Sequence, residues 1–301
     1  MLRASGIELD YARRLWRALG FPPVPDDARV FTRADVKILR GVAELIEDRT
    51  VDAGPLVQLT RVIGQSLARL ADAQVRATAD RLYQQRTEHA AGERALPELA
   101  ARVQDLVPRL EQFLVYVWRR HLLAAVLRLS ARPAAADRAL TVGFADLVGF
   151  TAMSQALDAR ELAVMVDRFE TTASDHIPRH GGRVVKMIGD EVMFVADDAA
   201  VAADIALALV DAHARDPALP DVRVGLASGP TLALEGDHFG PTVNLASRLV
   251  NLARPGTVLV SDELGAQLQA RPGFVLRPLR PIRLQGIGRV RTWVLRRAPS
   301  A

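Results

Sequence analysis

The stretch RVVKMIGDEVMFV, Arg183 to Val195, decides how the second half of the chain is read. Val, Met, Ile and Phe flank a central Gly189-Asp190, and such residues favour a pleated, half-buried surface. Gly-Asp supplies a tight turn, so Arg183–Ile188 and Glu191–Val195 are predicted as a hairpin. Alternation puts Lys186 and Ile188 on one pleat and Met187 on the other. Working outward, Leu140–Ala145 and Val222–Ala227 read as further strands, and Asp198–Arg215 reads as a helix. The expected fold class is α+β, with helices on one face of a mainly antiparallel sheet.

Residues 1 to 130 follow a different period. Thr32 with Asp35 has the form of a capping box, followed by Val36, Leu39, Val42, Leu45 and Ile46 at helical spacing. Leu56, Leu59, Ile63, Leu67 and Leu70 recur at steps of three and four and give one apolar face. A third helix is predicted from about Pro108 to Leu129. It is apolar on more than one side, which calls for burial against several neighbours or a second chain. SARPAAADR, Ser130 to Arg138, reads as a linker, because Pro133 ends the helix. The expected organisation is a helical domain over 1–130, a linker over 131–138 and a second domain over 139–301.

Composition bounds the partners. The 301 residues suffice for two domains with cores of their own. Cysteine is absent, so disulfides and thiolate metal sites are excluded. The pI is near 10, but the net charge is only +4, from 39 basic and 35 acidic residues, so a nucleic-acid footprint is not expected. The most apolar stretch, Phe113 to Leu129, is broken by Arg119, Arg120, His121 and Arg128. That is too short for the roughly 20 apolar residues a membrane span requires. With no signal-peptide core at the N-terminus, a cytoplasmic location is expected. Only Lys37 and Lys186 are lysines in an arginine-rich chain, which marks both as places where an ammonium is preferred.

Three motifs carry chemistry. Asp146-Leu147-Val148-Gly149-Phe150-Thr151 delivers a carboxylate at a strand end. Gly149 then turns the chain into a helix start whose free N–H groups, at Phe150 and Thr151, suit phosphate. Lys186-Met187-Ile188-Gly189-Asp190-Glu191 places a second carboxylate at a hairpin tip, and Asp146 with Asp190 would make a two-metal site. In Asp237 to Arg248, Gly240-Pro241 marks a helix start, so Asn244 and Arg248 share one face. Taken singly, each motif also fits a cap, a turn or a surface polar pair.

Together, in this order and spacing, they resemble the class III nucleotidyl cyclases over about residues 139–297. The resemblance implies a ferredoxin-like βαββαβ core. It also implies conversion of ATP to 3′,5′-cyclic AMP and pyrophosphate, with two divalent ions (Mg²⁺ or Mn²⁺) as cofactors. By that resemblance Asp146 and Asp190 are the metal aspartates, Lys186 and Asp237 read the purine, and Asn244 and Arg248 act on the transition state. Adenine has an acceptor at N1 and a donor at its 6-amino group, which match Lys186 and Asp237; guanine presents the reverse. The family's sites form between two catalytic domains, so a homodimer with two equivalent sites is implied.

One position departs from the pattern. Where the family often places a lysine on the triphosphate, this chain reads Leu284-Gln285-Gly286-Ile287-Gly288-Arg289, leaving Arg289 or Arg291 as substitutes or as surface arginines. The first half, including Tyr116 to His121, resembles the regulatory domain of actinobacterial, pH-responsive adenylyl cyclases. That implies autoinhibition or activation by protons or fatty acid, with a dimerisation scaffold as the plainer alternative. Two rival readings remain. One is a catalytically silent ATP sensor. The other is a diguanylate cyclase, whose Gly-Gly-Asp-Glu hairpin Ile188 to Glu191 partly matches, although Gly181-Gly182 lies well before the Asp-Glu and that family lacks the Asn-x-x-x-Arg helix.

Overall fold

The computed structural model describes residues 8–25, 31–84, 95–131 and 139–299. The chain divides into two compact units, residues 1–134 and 135–301. Ser130 and Ala131 of the expected linker stretch are helical, and the rest of it lies outside the described residues.

The first unit holds α1 (Leu9–Ala18), α2 (Arg33–Glu47), α3 (Ala53–Gln84) and α4 (Ala95–Ala131). The Thr32–Asp35 capping box is formed: the Asp35 amide donates to Thr32 Oγ1 at 3.4 Å, and the Thr32 amide donates to Asp35 Oδ2 at 2.7 Å. Such a cap contributes about 1 kcal/mol by satisfying amides the helix leaves free. Leu56 is buried, but Leu59, Ile63 and Leu67 further along α3 are exposed.

One expected boundary differs. Helix α4 begins at Ala95, well before Pro108, which sits inside it. Proline removes its own amide bond to the preceding turn and its ring crowds a carbonyl there, yet this local cost does not end so long a helix, which continues on both sides. The 113–129 segment is expected to pack on several neighbours or on a second chain; within the single chain Phe113, Tyr116, Trp118, Leu123 and Leu129 are all more than half exposed, which leaves the second alternative open.

The second unit is built on a seven-stranded sheet in the order β2-β3-β1-β4-β7-β11-β8. Its strands are β1 (Leu140–Leu147), β2 (Arg183–Ile188), β3 (Glu191–Ala196), β4 (Val222–Gly229), β7 (Val258–Ser261), β8 (Phe274–Pro278) and β11 (Thr292–Arg297). Two small hairpins stand apart, β5 (Leu232–Leu234) with β6 (Asp237–Phe239), and β9 (Ile282–Leu284) with β10 (Gly288–Val290). All pairings are antiparallel except β4 with β7. The helices are α5 (Phe150–Ala156), α6 (Ala159–Arg179), α7 (Ala199–Arg215), α8 (Pro241–Leu252) and α9 (Asp262–Gln269). Elements β1 to β4, with α6 and α7 between them, form the expected βαββαβ core.

Helices cover both faces of the sheet, not one as expected. Phe169, Ala173 and Ile177 of α6 and Ala202, Ile205 and Leu209 of α7 pack on Ala145, Leu147, Val224 and Leu226. Ala246 and Val250 of α8 pack on the opposite pleat, against Val142, Phe144 and Ala227. Two-sided cover explains why all eight residues of β1 are buried. Contact with α8 is close: a Cβ on Gly225 would stand 2.2 Å from the Val250 amide nitrogen, so β4 can carry only glycine there.

Candidate active site

Asp146, 8% exposed, is the next-to-last residue of β1. Register places it opposite Glu191 of β3 on one side and Arg223 of β4 on the other. Partners across an antiparallel pair share a face, so these three side chains project together on the α8 side of the sheet. Arg223 Nε donates to Asp146 Oδ2 at 2.7 Å, and its Nη1 reaches the Asn251 carbonyl at 3.3 Å. The Leu147 amide donates to the Asp190 carbonyl at 3.0 Å and ties the hairpin tip to the end of β1.

These carboxyl groups crowd one another. Burial raises Asp146 above the usual carboxylate range; Arg223 pulls it back in part and Asp190 pushes it further up. Glu191 is pushed up to about 7, first by burial and then by the Asp146 and Asp190 charges, with Arg223 and Lys186 opposing. Its Oε1 is buried without a hydrogen-bond partner. A cluster of this kind suits a cation. Among the described residues no three His, Cys, Asp or Glu side chains form a metal cage. Asp146 and Asp190 could hold a hard divalent ion only with further oxygen ligands from outside this cluster.

After Asp146 the chain turns through Gly149, whose φ of +78° lies in the left-handed region. Gly149 caps α5, and its carbonyl receives the Ala152 and Met153 amides. Among the described residues, the Phe150 and Thr151 amides donate no backbone hydrogen bond. Phe150 packs on the core, while Thr151 is exposed.

Lys186 of β2 and Asp237 of β6 meet as a hydrogen-bonded ion pair, 51 residues apart in sequence. Asp237 Oδ1 accepts from the His238 amide at 2.7 Å. Burial raises the Asp237 carboxyl, but the Lys186 and His238 hydrogen bonds outweigh it, and the net shift is downward. Lys186 lies close enough to the carboxylate cluster to lower the pKa of Glu191.

Asn244 and Arg248 lie on the exposed side of α8, and neither side chain has a hydrogen-bond partner among the described residues. Arg248 Nη2 comes to 3.8 Å of where a Cβ on Gly286 would stand, beneath the β9–β10 turn. Of the two candidate replacements for the triphosphate lysine, Arg291 is engaged by Asp262 at 3.2 Å. Arg289 stands opposite Arg283 in the hairpin and is exposed.

The structure thus brings together the Asp146/Asp190 and Lys186/Asp237 pairs and leaves Asn244 and Arg248 facing outward on their shared helix. Sequence reading missed Arg223, Arg183 and His238. Arg223 had a signal: it is the lone charge in the apolar strand VRVGLA, residues 222–227. Nothing local marked His238.

The adenylate and guanylate cyclase catalytic-domain family matches residues 133–297, and the adenylate cyclase regulatory-domain family matches residues 1–128. An adenylate cyclase of Streptomyces coelicolor is 42% identical over 270 residues, covering 88% of this chain and 70% of that protein. A pH-sensitive adenylate cyclase of Mycobacterium tuberculosis is 33% identical over 309 residues, covering 98% of this chain and 76% of that protein. Among solved structures, the catalytic core of a rhodopsin-guanylyl cyclase with converted specificity, in complex with ATPαS, superposes with a TM-score of 0.50. It is 26% identical and covers 54% of this chain and 98% of its own. Trypanosoma brucei adenylate cyclases in their monomeric state share the fold, with a TM-score of 0.51 at 20% identity, covering 56% of this chain and 92% of theirs. The chain belongs to the adenylate and guanylate cyclase family, as an adenylate cyclase catalytic domain preceded by an adenylate cyclase regulatory domain.

Proposed function

We propose that the chain takes ATP in preference to GTP and closes it to 3′,5′-cyclic AMP. The observation that carries this reading is the Lys186–Asp237 pair, a donor beside an acceptor on neighbouring elements. Lys186 would donate to adenine N1, and Asp237 would accept from the 6-amino group; guanine would leave both unpaired, at about 1–3 kcal/mol or more each. In the reaction the ribose 3′-oxygen forms a bond to the α-phosphorus, the bond from that phosphorus to pyrophosphate breaks, and the hydroxyl proton is released. Asn244 holds the ribose for in-line attack, and Arg248 meets the charge that grows on the α-phosphate. The Phe150 and Thr151 amides receive phosphate oxygens. Mg²⁺ or Mn²⁺ ions held by Asp146 and Asp190 would acidify the 3′-hydroxyl and neutralise the phosphate chain.

The active species is a homodimer with two equivalent sites. In each, one chain supplies Asp146 and Asp190, and its partner supplies Lys186, Asp237, Asn244 and Arg248. Exposed Asn244 and Arg248, and the exposed apolar side chains of α4, support this arrangement. Residues 1–130 regulate residues 139–301, with protons or a fatty acid as effector. ATP as substrate puts the enzyme in the cytoplasm, and among the described residues no helix is long and apolar enough to cross a membrane.

The test is cyclic AMP formation by the full-length protein with Mn²⁺ and ATP, with GTP alongside. No product from folded, nucleotide-binding protein would make it a silent sensor; equal turnover of GTP would remove the purine reading. Asp146→Ala and Arg248→Ala proteins should each be nearly inactive, and subunit exchange between them should restore one intact site per heterodimer. No recovery, with both variants dimeric, rules out the shared site.

A further inference from the structure

Arg183 and Lys186 are three residues apart, and in a regular strand they would point to opposite faces. Here the β2–β3 register runs Arg183↔Val195, Val184↔Phe194, Lys186↔Met193, so Val185 is an extra residue in a β-bulge. The bulge turns both cations to the α8 face, where bulges next to active sites commonly re-aim a side chain. Lys186 meets Asp237, while Arg183 Nη2 lies 3.1 Å from His238 Nε2. The two adjacent residues of β6 are therefore each held by a cation of β2.

The chemistry fixes the state of His238. A guanidinium can only donate, so Nε2 accepts and carries no proton. The remaining proton sits on Nδ1, which donates to Thr231 Oγ1 at 3.3 Å. His238 is 6% exposed and contacted at both ring nitrogens. No backbone ladder joins the β5–β6 hairpin to the main sheet among the described residues. Two side-chain bridges link it to β2. One of them, Lys186–Asp237, is the pair that would exchange its internal bond for bonds to adenine. The other, Arg183–His238–Thr231, uses none of the groups assigned to the base.

We propose that His238, clamped between Arg183 and Thr231, is the positioning residue of the purine-reading pair and keeps Asp237 in register with Lys186 while adenine is bound. The inference rests on the reading of Lys186 and Asp237 given above. The measurement is the ATP-to-GTP ratio of kcat/KM for the full-length protein with Mn²⁺. His238→Ala should lower that ratio at least about tenfold, mainly by raising KM for ATP, because mispositioning a polar reader loses discrimination before it loses chemistry. His238→Gln should recover most of it, since its amide oxygen can accept from Arg183 where Nε2 did. Thr231→Val, nearly isosteric, should give an intermediate loss and carries the test if His238→Ala does not fold. Lys186→Ala is the control. If it lowers the ratio while His238→Ala and Thr231→Val stay within twofold of wild type, the clamp has no positioning role. If Lys186→Ala leaves the ratio unchanged, the purine reading falls and the clamp's role falls with it.

Discussion

Arg223 binds the same carboxylate that the cyclase reading gives to a metal ion: its Nε donates to Asp146 Oδ2 at 2.7 Å, from the opposite strand. Arg223 thus offsets the buried charge of Asp146 but occupies one of its oxygens.

Arg223→Ala should therefore destabilise the metal-free protein, by about 2 kcal/mol, since a mostly buried carboxylate loses its partner while some solvent still reaches the pair. Added Mn²⁺ should restore more of the lost stability than it adds to wild type, because the cation replaces the missing charge. Thermal melts with and without Mn²⁺ check this. Equal stabilisation of both proteins would mean that Arg223 and the ion do not share Asp146.

Asn244→Ala and Arg248→Ala should leave folding intact, because both side chains are exposed and unpartnered among the described residues. Each should lower kcat by about 10²–10³ with a much smaller change in KM for ATP, as expected when a group acts mainly in the transition state. Steady-state kinetics decide it; a loss confined to KM would assign the residue to ground-state binding.

His213 of α7 is 3% exposed and donates through Nδ1 to the Pro220 carbonyl at 3.0 Å, leaving a buried Nε2 without a partner. Burial lowers its pKa, and nearby His176 lowers it further, while the Pro220 bond, Asp216 and Asp221 oppose. His176 is lowered too, by burial, His180, Arg179 and Arg215, against Asp175. A base with a depressed folded pKa stabilises fully above its unfolded value, about 6.5, and that stability is lost as pH falls towards the folded pKa. Urea midpoints should accordingly decline below about pH 6.5. His213→Gln should flatten the decline, whatever it does to stability at neutral pH. An unaltered pH profile in that variant would locate the acid sensitivity elsewhere.

Gly225→Ala should be severely destabilising although it adds one methyl group. The new Cβ would lie 2.2 Å from the Val250 amide nitrogen and 2.6 Å from the Ala246 carbonyl oxygen, both backbone atoms of α8. Neither can rotate away, so α8 must shift, at about 2–4 kcal/mol. Because Asn244 and Arg248 ride on α8, activity should fall further than the fraction unfolded accounts for, as comparison of melts with kcat would reveal.

The individual elements of this protein follow from short-range chemistry. The 183–195 hairpin turning at Gly189-Asp190, the Thr32–Asp35 box, the Pro241 helix start and the shared face of Asn244 and Arg248 all depend on residues a few positions apart. Periodicity and capping chemistry act at that range, so they are written in the chain itself. The motifs that identify a cyclase are equally local. Tertiary structure alone decided which side chains meet. Arg223 reaches Asp146 across 77 positions and Arg183 reaches His238 across 55. The bulge at Val185 reverses which face Arg183 shares with Lys186. Two-sided cover of the sheet was only partly legible, because a strand buried on both faces reads as a plain apolar run that periodicity does not separate from a buried helix segment. Such pairings follow from strand order and register, which arise from the packing of the whole sheet, and one extra residue changes them.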